Sequence, residues 1–95
     1  MQYIVLIHKN TDSDPTPDEW DEFIAVAAQT GMFKGGSAIG VRYVVGEKDV
    51  IDTTAQVDGF MRFDSDDLNS LIELLKKHPV VRHGGTVELC EMPKS

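Results

Sequence analysis

The feature that most constrains this chain is the order in which its hydrophobic periodicity switches. Residues Tyr3, Ile4, Val5, Leu6, Ile7 and His8 form a nearly continuous apolar run, which suits a central strand with both faces covered. A polar, turn-forming stretch follows, Asn10-Thr11-Asp12-Ser13-Asp14-Pro15, and then Thr16-Pro17-Asp18-Glu19. That tetrapeptide is a capping box with proline at the first helical position, so a helix is expected to start at Pro17. Trp20, Phe23, Ile24, Ala27 and Ala28 then recur at helical spacing, leaving Asp18, Glu19, Asp21 and Glu22 on the wet side or near the positive helix end. Gly31 is its expected stop.

From Phe33 the chain turns to glycine and β-branched residues. Gly35-Gly36-Ser37 leads into a second strand read over Ala38 to Val45, bent at Gly40. Gly46-Glu47-Lys48-Asp49 is a turn, and Val50 to Thr54 a short extra hairpin. Val57, Gly59, Met61 and Phe63 alternate with Gln56, Asp58, Phe60 and Arg62, the mark of a third strand with one largely apolar face. Asp64 or Ser65 is expected to cap a second helix with Leu68, Leu71, Ile72 and Leu75 on one stripe. Lys76, Lys77 and His78 would complement its negative end, with Pro79 as the stop. Thr86 to Met92 alternates as a last strand.

The order β-α-β-β-α-β over residues 1–95 defines one α+β domain of ferredoxin-like type, a two-layer sandwich with both helices on one face of an antiparallel sheet. The other face is then open. Apolar residues there, from the first strand, Phe60, and Val41 or Tyr43, form a patch that a second copy can cover, so a homodimer is expected.

Composition narrows the partners. Nine Lys plus Arg against sixteen Asp plus Glu leave a net charge of −7 with no basic cluster, so nucleic acid is not an expected partner. The opening residues read as a strand and not as an address or a membrane span. The single Cys90, set in an alternating strand, reads as a small strand residue in a reducing cytoplasm.

Three segments carry a family resemblance: Tyr3-Ile4-Val5-Leu6-Ile7, Gly35-Gly36-Ser37-Ala38-Ile39-Gly40, and His78-Pro79-Val80-Val81-Arg82-His83-Gly84-Gly85-Thr86-Val87-Glu88-Leu89. In this order they resemble the YCII-related family, also described as DGPF-domain proteins, of the dimeric α/β-barrel superfamily. The resemblance implies a ferredoxin-like subunit that dimerises through its sheets. The Asp-Gly-Pro-Phe signature has no counterpart: Val50-Ile51-Asp52-Thr53-Thr54 stands in its place. The His-Asp pair proposed for some relatives, with its histidine near the first helix, is not carried over, because residues 17–30 contain no histidine. The family constrains fold more than chemistry.

Topology brings the end of the first strand beside the start of the last. His8, Asp52, Arg82 and His83 are thereby candidates for one rim. A neutral imidazole, His83 or His8, oriented by the Asp52 carboxylate, suits general-base chemistry near neutral pH. Arg82 suits bidentate binding of a carboxylate or enolate, assisted by the N–H groups of the helix starting at Pro17. Such a set fits proton abstraction beside a carbonyl, or hydrolysis of a small lactone-like compound. The plainer reading keeps both histidines as loop residues and Arg82 as an ordinary ion-pair partner. A metal held by His8, His83 and Asp52 lacks any short-spaced ligand pair, and no cofactor is expected. Gly35-Gly36-Ser37 lacks the lysine and helix of a phosphate loop and reads as a turn or bulge. Trp20 reads as a core or sheet-edge packer. A non-catalytic ligand-binding or accessory domain using the same pocket is the competing class of function.

Overall fold

The computed structural model describes residues 1–48 and 54–94. Strand β1 (Gln2–His8) leads through a loop to helix α1 (Pro17–Gln29), then β2 (Phe33–Ala38), β3 (Val57–Asp64), helix α2 (Leu68–Leu75), a single-turn helix α3 (Pro79–Arg82) and β4 (Val87–Met92). The sheet order is β2-β3-β1-β4 with every neighbouring pair antiparallel. That is the ferredoxin-like arrangement, with β1 inside between β3 and β4.

Parity assigns the faces. Tyr3, Val5 and Ile7 sit opposite Phe63, Met61 and Gly59 on β3, and opposite Glu91, Leu89 and Val87 on β4. Tyr3, Val5, Ile7, Met61 and Phe63 are buried with Phe23 and Ala27 of α1, with Leu71, Leu74 and Leu75 of α2, and with Val80 of α3, as one cluster. Both main helices therefore cover the same face. Each fully buried side chain of this kind contributes about 1.5–3 kcal/mol over its exposed state, so the face is fixed by energy as well as by pleat. The opposite parity presents Ile4 and Leu6 of β1, Phe60 of β3 and Cys90 and Met92 of β4, all half-buried, with Arg62 exposed. No helix among the described residues is long and apolar enough to cross a membrane.

The first helix forms as its sequence requires. Thr16 is the N-cap, both halves of the capping box are made, and Gly31 follows the last turn at φ +76°.

Four sequence expectations are corrected. The second strand is Phe33–Ala38, not Ala38–Val45. Its register is set by pairing of Phe33 with Phe63 and by the approach of Gly36 to Met61, and the rings of Phe33 and Phe63 lie 5.4 Å apart. The β-branched run that follows has high strand propensity but pairs in no ladder among the described residues, and Val41, Tyr43, Val44 and Val45 are exposed. The expected hairpin from Val50 falls largely on residues 49–53, outside the described residues.

The second helix is capped by Asp67, whose carboxylate accepts from Ser70 N at 3.2 Å, and not by Asp64 or Ser65. Asp64 still belongs to the β3 ladder, and Ser65 is spent on a turn with Asp67. The buried stripe is Leu71, Leu74 and Leu75, while Leu68 and Ile72 are exposed. A helix of only eight residues with two adjacent leucines admits both stripes, and packing into the core cluster selects Leu71, Leu74 and Leu75.

His78 is not a solvated charge at the end of α2. It is fully buried, caps α3 through Nδ1, which accepts from Val80 N at 3.1 Å, and lies edge-on to Trp20 at 4.9 Å with Phe23 at 4.8 Å. Burial pushes its pKa down to about 4.

Candidate functional site

One end of the sheet holds most of the chemistry-bearing side chains. There the 9–16 loop, leaving β1, is laced to the segment between α3 and β4. His8 N donates to Thr86 O at 3.0 Å, Asp12 N to His83 O at 2.9 Å, and Asn10 exchanges side-chain bonds with Thr86 at 2.9 and 3.1 Å. Gly84 makes this closure possible. It turns at φ +82°, and the space beside it is filled by the Asp12 side chain, a conformation that few other residues adopt.

A cavity of about 580 Å³ opens at this end. Its apolar wall is Ile7, Trp20, Ile24, Phe33, Phe60 and Met61, and His8, Asp14 and Asp58 bring the polarity. Bare backbone forms part of the wall, because β2 and β3 meet there too closely for side chains. A β-carbon on Gly36 would lie 2.9 Å from Met61 Cα, and one on Gly59 2.9 Å from Ser37 O. The glycines that hint at a bulge in the sequence thus belong to the strand pair, with a register shift between Phe33 and Gly35.

His8 ends β1 beside Glu88 of β4, with Nε2 2.6 Å from Oε1. An ionised carboxylate only accepts, so in the neutral imidazole Nε2 carries the proton and Nδ1 keeps a lone pair. No described residue bonds to that Nδ1. The arrangement leaves a carboxylate-oriented imidazole, its side chain about a quarter exposed, at the wall of a largely apolar cavity.

His83 belongs to a different group. Its Nε2 is 2.7 Å from Glu19 Oε2 and its Nδ1 is 2.7 Å from Ser13 Oγ. The two histidines thus share an end of the sheet but bind different carboxylates, one on β4 and one on α1. Arg82 does not line the cavity beside His8. It borders a separate groove with Glu19, Glu22, Phe23, Val26 and Lys77, because it ends the turn of α3 facing α1. Asp52, expected to orient a histidine, lies outside the described residues. Among the described residues no cluster of three or more His, Cys, Asp or Glu side chains suits a metal ion.

Glu88, Glu19 and Ser13 were not singled out as site residues by sequence reasoning. Glu88 reads as the wet position of an alternating strand and Glu19 as half of a capping box, and both readings are true of the fold. The usable signal for Glu19 is that a capping box consumes one carboxylate oxygen: Thr16 N and Oγ1 both donate to Oε1 at 3.2 Å, leaving Oε2 for His83. These contacts hold the Glu19 carboxyl below its usual range, the His83 hydrogen bond first and the Thr16 backbone N–H next.

No family model matches the chain, and no curated protein does. Among solved structures, the chain is similar to 5-chloro-2-hydroxyhydroquinone dehydrochlorinase from Burkholderia phenoliruptrix AC1100 in complex with 2,5-dihydroxybenzoquinone. The identity is 10% and the TM-score 0.48, with 100% of this chain and 96% of that chain covered. The fold assignment rests on strand order and register.

Proposed function

We propose that this protein is a small-molecule enzyme that moves a proton on a carbonyl compound bound in the cavity at this end of the sheet, with His8 as the general base and Glu88, on the open face of β4, as the group that orients it. The observation that carries this reading is that His8 lines the cavity while its Nε2 is held by Glu88, with the imidazole's second nitrogen left as a lone-pair base. A base of this kind contributes about 10²–10⁴-fold when it reaches the proton it removes. The ligand is uncharged and largely apolar. Trp20 and Phe33 supply aromatic lining, while the charged groups of the lining are Asp14 and Asp58, which disfavour a carboxylate ligand. The anion-holding role expected of Arg82 therefore does not belong to this cavity.

The working unit in this proposal is a homodimer formed through the open sheet face. Ile4, Leu6, Phe60, Cys90 and Met92, half-buried on one sheet face, and the exposed Val41 and Tyr43 support it, since exposed apolar surface asks for cover. The free thiol of Cys90 suits a reducing cytoplasm.

Solvent deuterium exchange into a panel of enolisable aryl ketones, followed by proton NMR, tests the reading. The wild-type chain is expected to accelerate exchange of at least one ketone, and His8→Gln to slow it about 100-fold while saturation-transfer signals from the bound ketone persist. Unchanged exchange in His8→Gln refutes the role of His8. Binding without exchange in the wild type identifies a non-catalytic ligand-binding domain.

A further inference from the structure

A second constellation lies outside the cavity and has no part in the proton transfer just described. Its construction follows from three local features. The capping box of α1 fixes Glu19 with one carboxylate oxygen still available. The single turn of α3 and the positive-φ Gly84 present His83 to α1. The backbone bond from Asp12 N to His83 O sets the next residue, Ser13, against the imidazole.

The proton positions in this group follow from donor and acceptor capacity. Glu19 is an acceptor when ionised, so His83 Nε2 carries the hydrogen and donates it. His83 Nδ1 is then the lone-pair nitrogen, and the Ser13 hydroxyl donates to it. Both separations are 2.7 Å. The His83 and Glu19 side chains are each about four-fifths covered, while Ser13 is exposed and reachable from solvent.

We propose that Ser13, His83 and Glu19 form an acyl-transfer centre, with Ser13 as the nucleophile, His83 Nδ1 as its base and Glu19 as the positioning residue that holds the imidazole in the required tautomer. The relay has the logic of a serine–histidine–acid triad with the two ring nitrogens exchanged. Ser13 Oγ attacks the carbonyl carbon of an ester, and its proton passes to His83 Nδ1. The tetrahedral intermediate expels the alkoxide, which takes that proton, leaving the acyl group on Ser13. Water then attacks the acyl-enzyme with His83 again as base, releasing the acid and restoring the serine hydroxyl. Asp12 and Asp14 flank the nucleophile and the whole chain carries −7, so the substrates are uncharged esters and not anionic ones.

The test uses the folded full-length chain and an uncharged alkyl fluorophosphonate. In this reaction the Ser13 Oγ–P bond forms, P–F breaks, fluoride leaves, and the hydroxyl proton passes to His83. Intact mass spectrometry with peptide mapping is expected to find one label, on Ser13. Ser13→Ala should abolish it. His83→Gln should slow labelling about 100-fold, and Glu19→Gln should slow it at least 10-fold although glutamine can still complete the capping box. Far-UV circular dichroism shows whether each variant is folded. Urea-unfolded wild-type protein supplies the rate of an ordinary serine, which keeps the test decisive if one variant fails to fold. Labelling of native wild type no faster than unfolded protein, or faster labelling at a serine other than Ser13, overturns the proposal. Equal rates in wild type, His83→Gln and Glu19→Gln overturn it as well, and leave the three residues as a latch between the loop and α1.

Discussion

Acid should destabilise this protein through His78 as the pH falls from 6.5 toward 4. In the native state Nδ1 of His78 accepts from Val80 N, so Nε2 carries the ring hydrogen, and Nε2 is buried without a hydrogen-bond partner among the described residues. Protonating the ring would place a charge between Trp20 and Phe23, and burial lowers the pKa from 6.5 to about 4. The sign follows from proton counting. Between those two values the unfolded chain binds a proton that the native chain does not, so stability rises with pH across the window and is lost as pH falls from 6.5 toward 4. At pH 4.5, relative to pH 7.5, the loss from this one group is about 2–3 kcal/mol, a large share of the stability expected for a domain of this size. The assay is urea unfolding at both pH values for wild type and for His78→Asn. Asparagine is a good N-cap and does not titrate, although its smaller volume lowers stability at both pH values. The wild type should lose about 2–3 kcal/mol more than the variant between pH 7.5 and 4.5. Equal losses in the two proteins would refute the argument, because they would assign the acid sensitivity to groups other than His78.

Two further outcomes follow from the packing. Gly36→Ala should cost about 2 kcal/mol or more, because the added carbon meets the backbone of β3, which cannot swing aside as a side chain can; a melting temperature within 1–2 °C of wild type, by a rough stability scale, would contradict the close approach of the two strands. Light scattering should give twice the chain mass for wild type and a single mass for Tyr43→Asp combined with Leu6→Asp, since Tyr43 is exposed and Leu6 lies on the open sheet face. A wild-type monomer at tens of micromolar, on the order of ordinary specific dimer affinities, would remove the reason for reading that face as an interface.

Much of the fold is legible in the order of the residues because its signals are local. The capping box at Thr16 and Glu19, proline at the helix start and the alternation of Val57, Gly59, Met61 and Phe63 each act over a few residues. In the structure they produce α1 from Pro17 and β3 from Val57. The errors occur where a local preference meets competition from elsewhere in the chain. Val41 to Val45 has the propensity of a strand, yet Phe33 and the glycines after it occupy the place beside β3. Leu68 and Ile72 match a helical stripe, yet Leu74 replaces them in the core.

The candidate site divides in the same way. That His8 and His83 lie at one end of the sheet follows from topology, which the sequence determines through element order. Which carboxylate each meets does not, because the partners are far along the chain: Glu88 reaches His8 only through the antiparallel register of β4 on β1, and Glu19 reaches His83 only through the packing of α3 against α1. Sequence by itself determined the elements, the acidic surface and the end of the sheet where chemistry gathers. Only tertiary structure decided that two histidines face two different glutamates and that a serine joins one of them, since a hydrogen bond requires placement to a few tenths of an ångström and hydrophobic pattern specifies no more than a face.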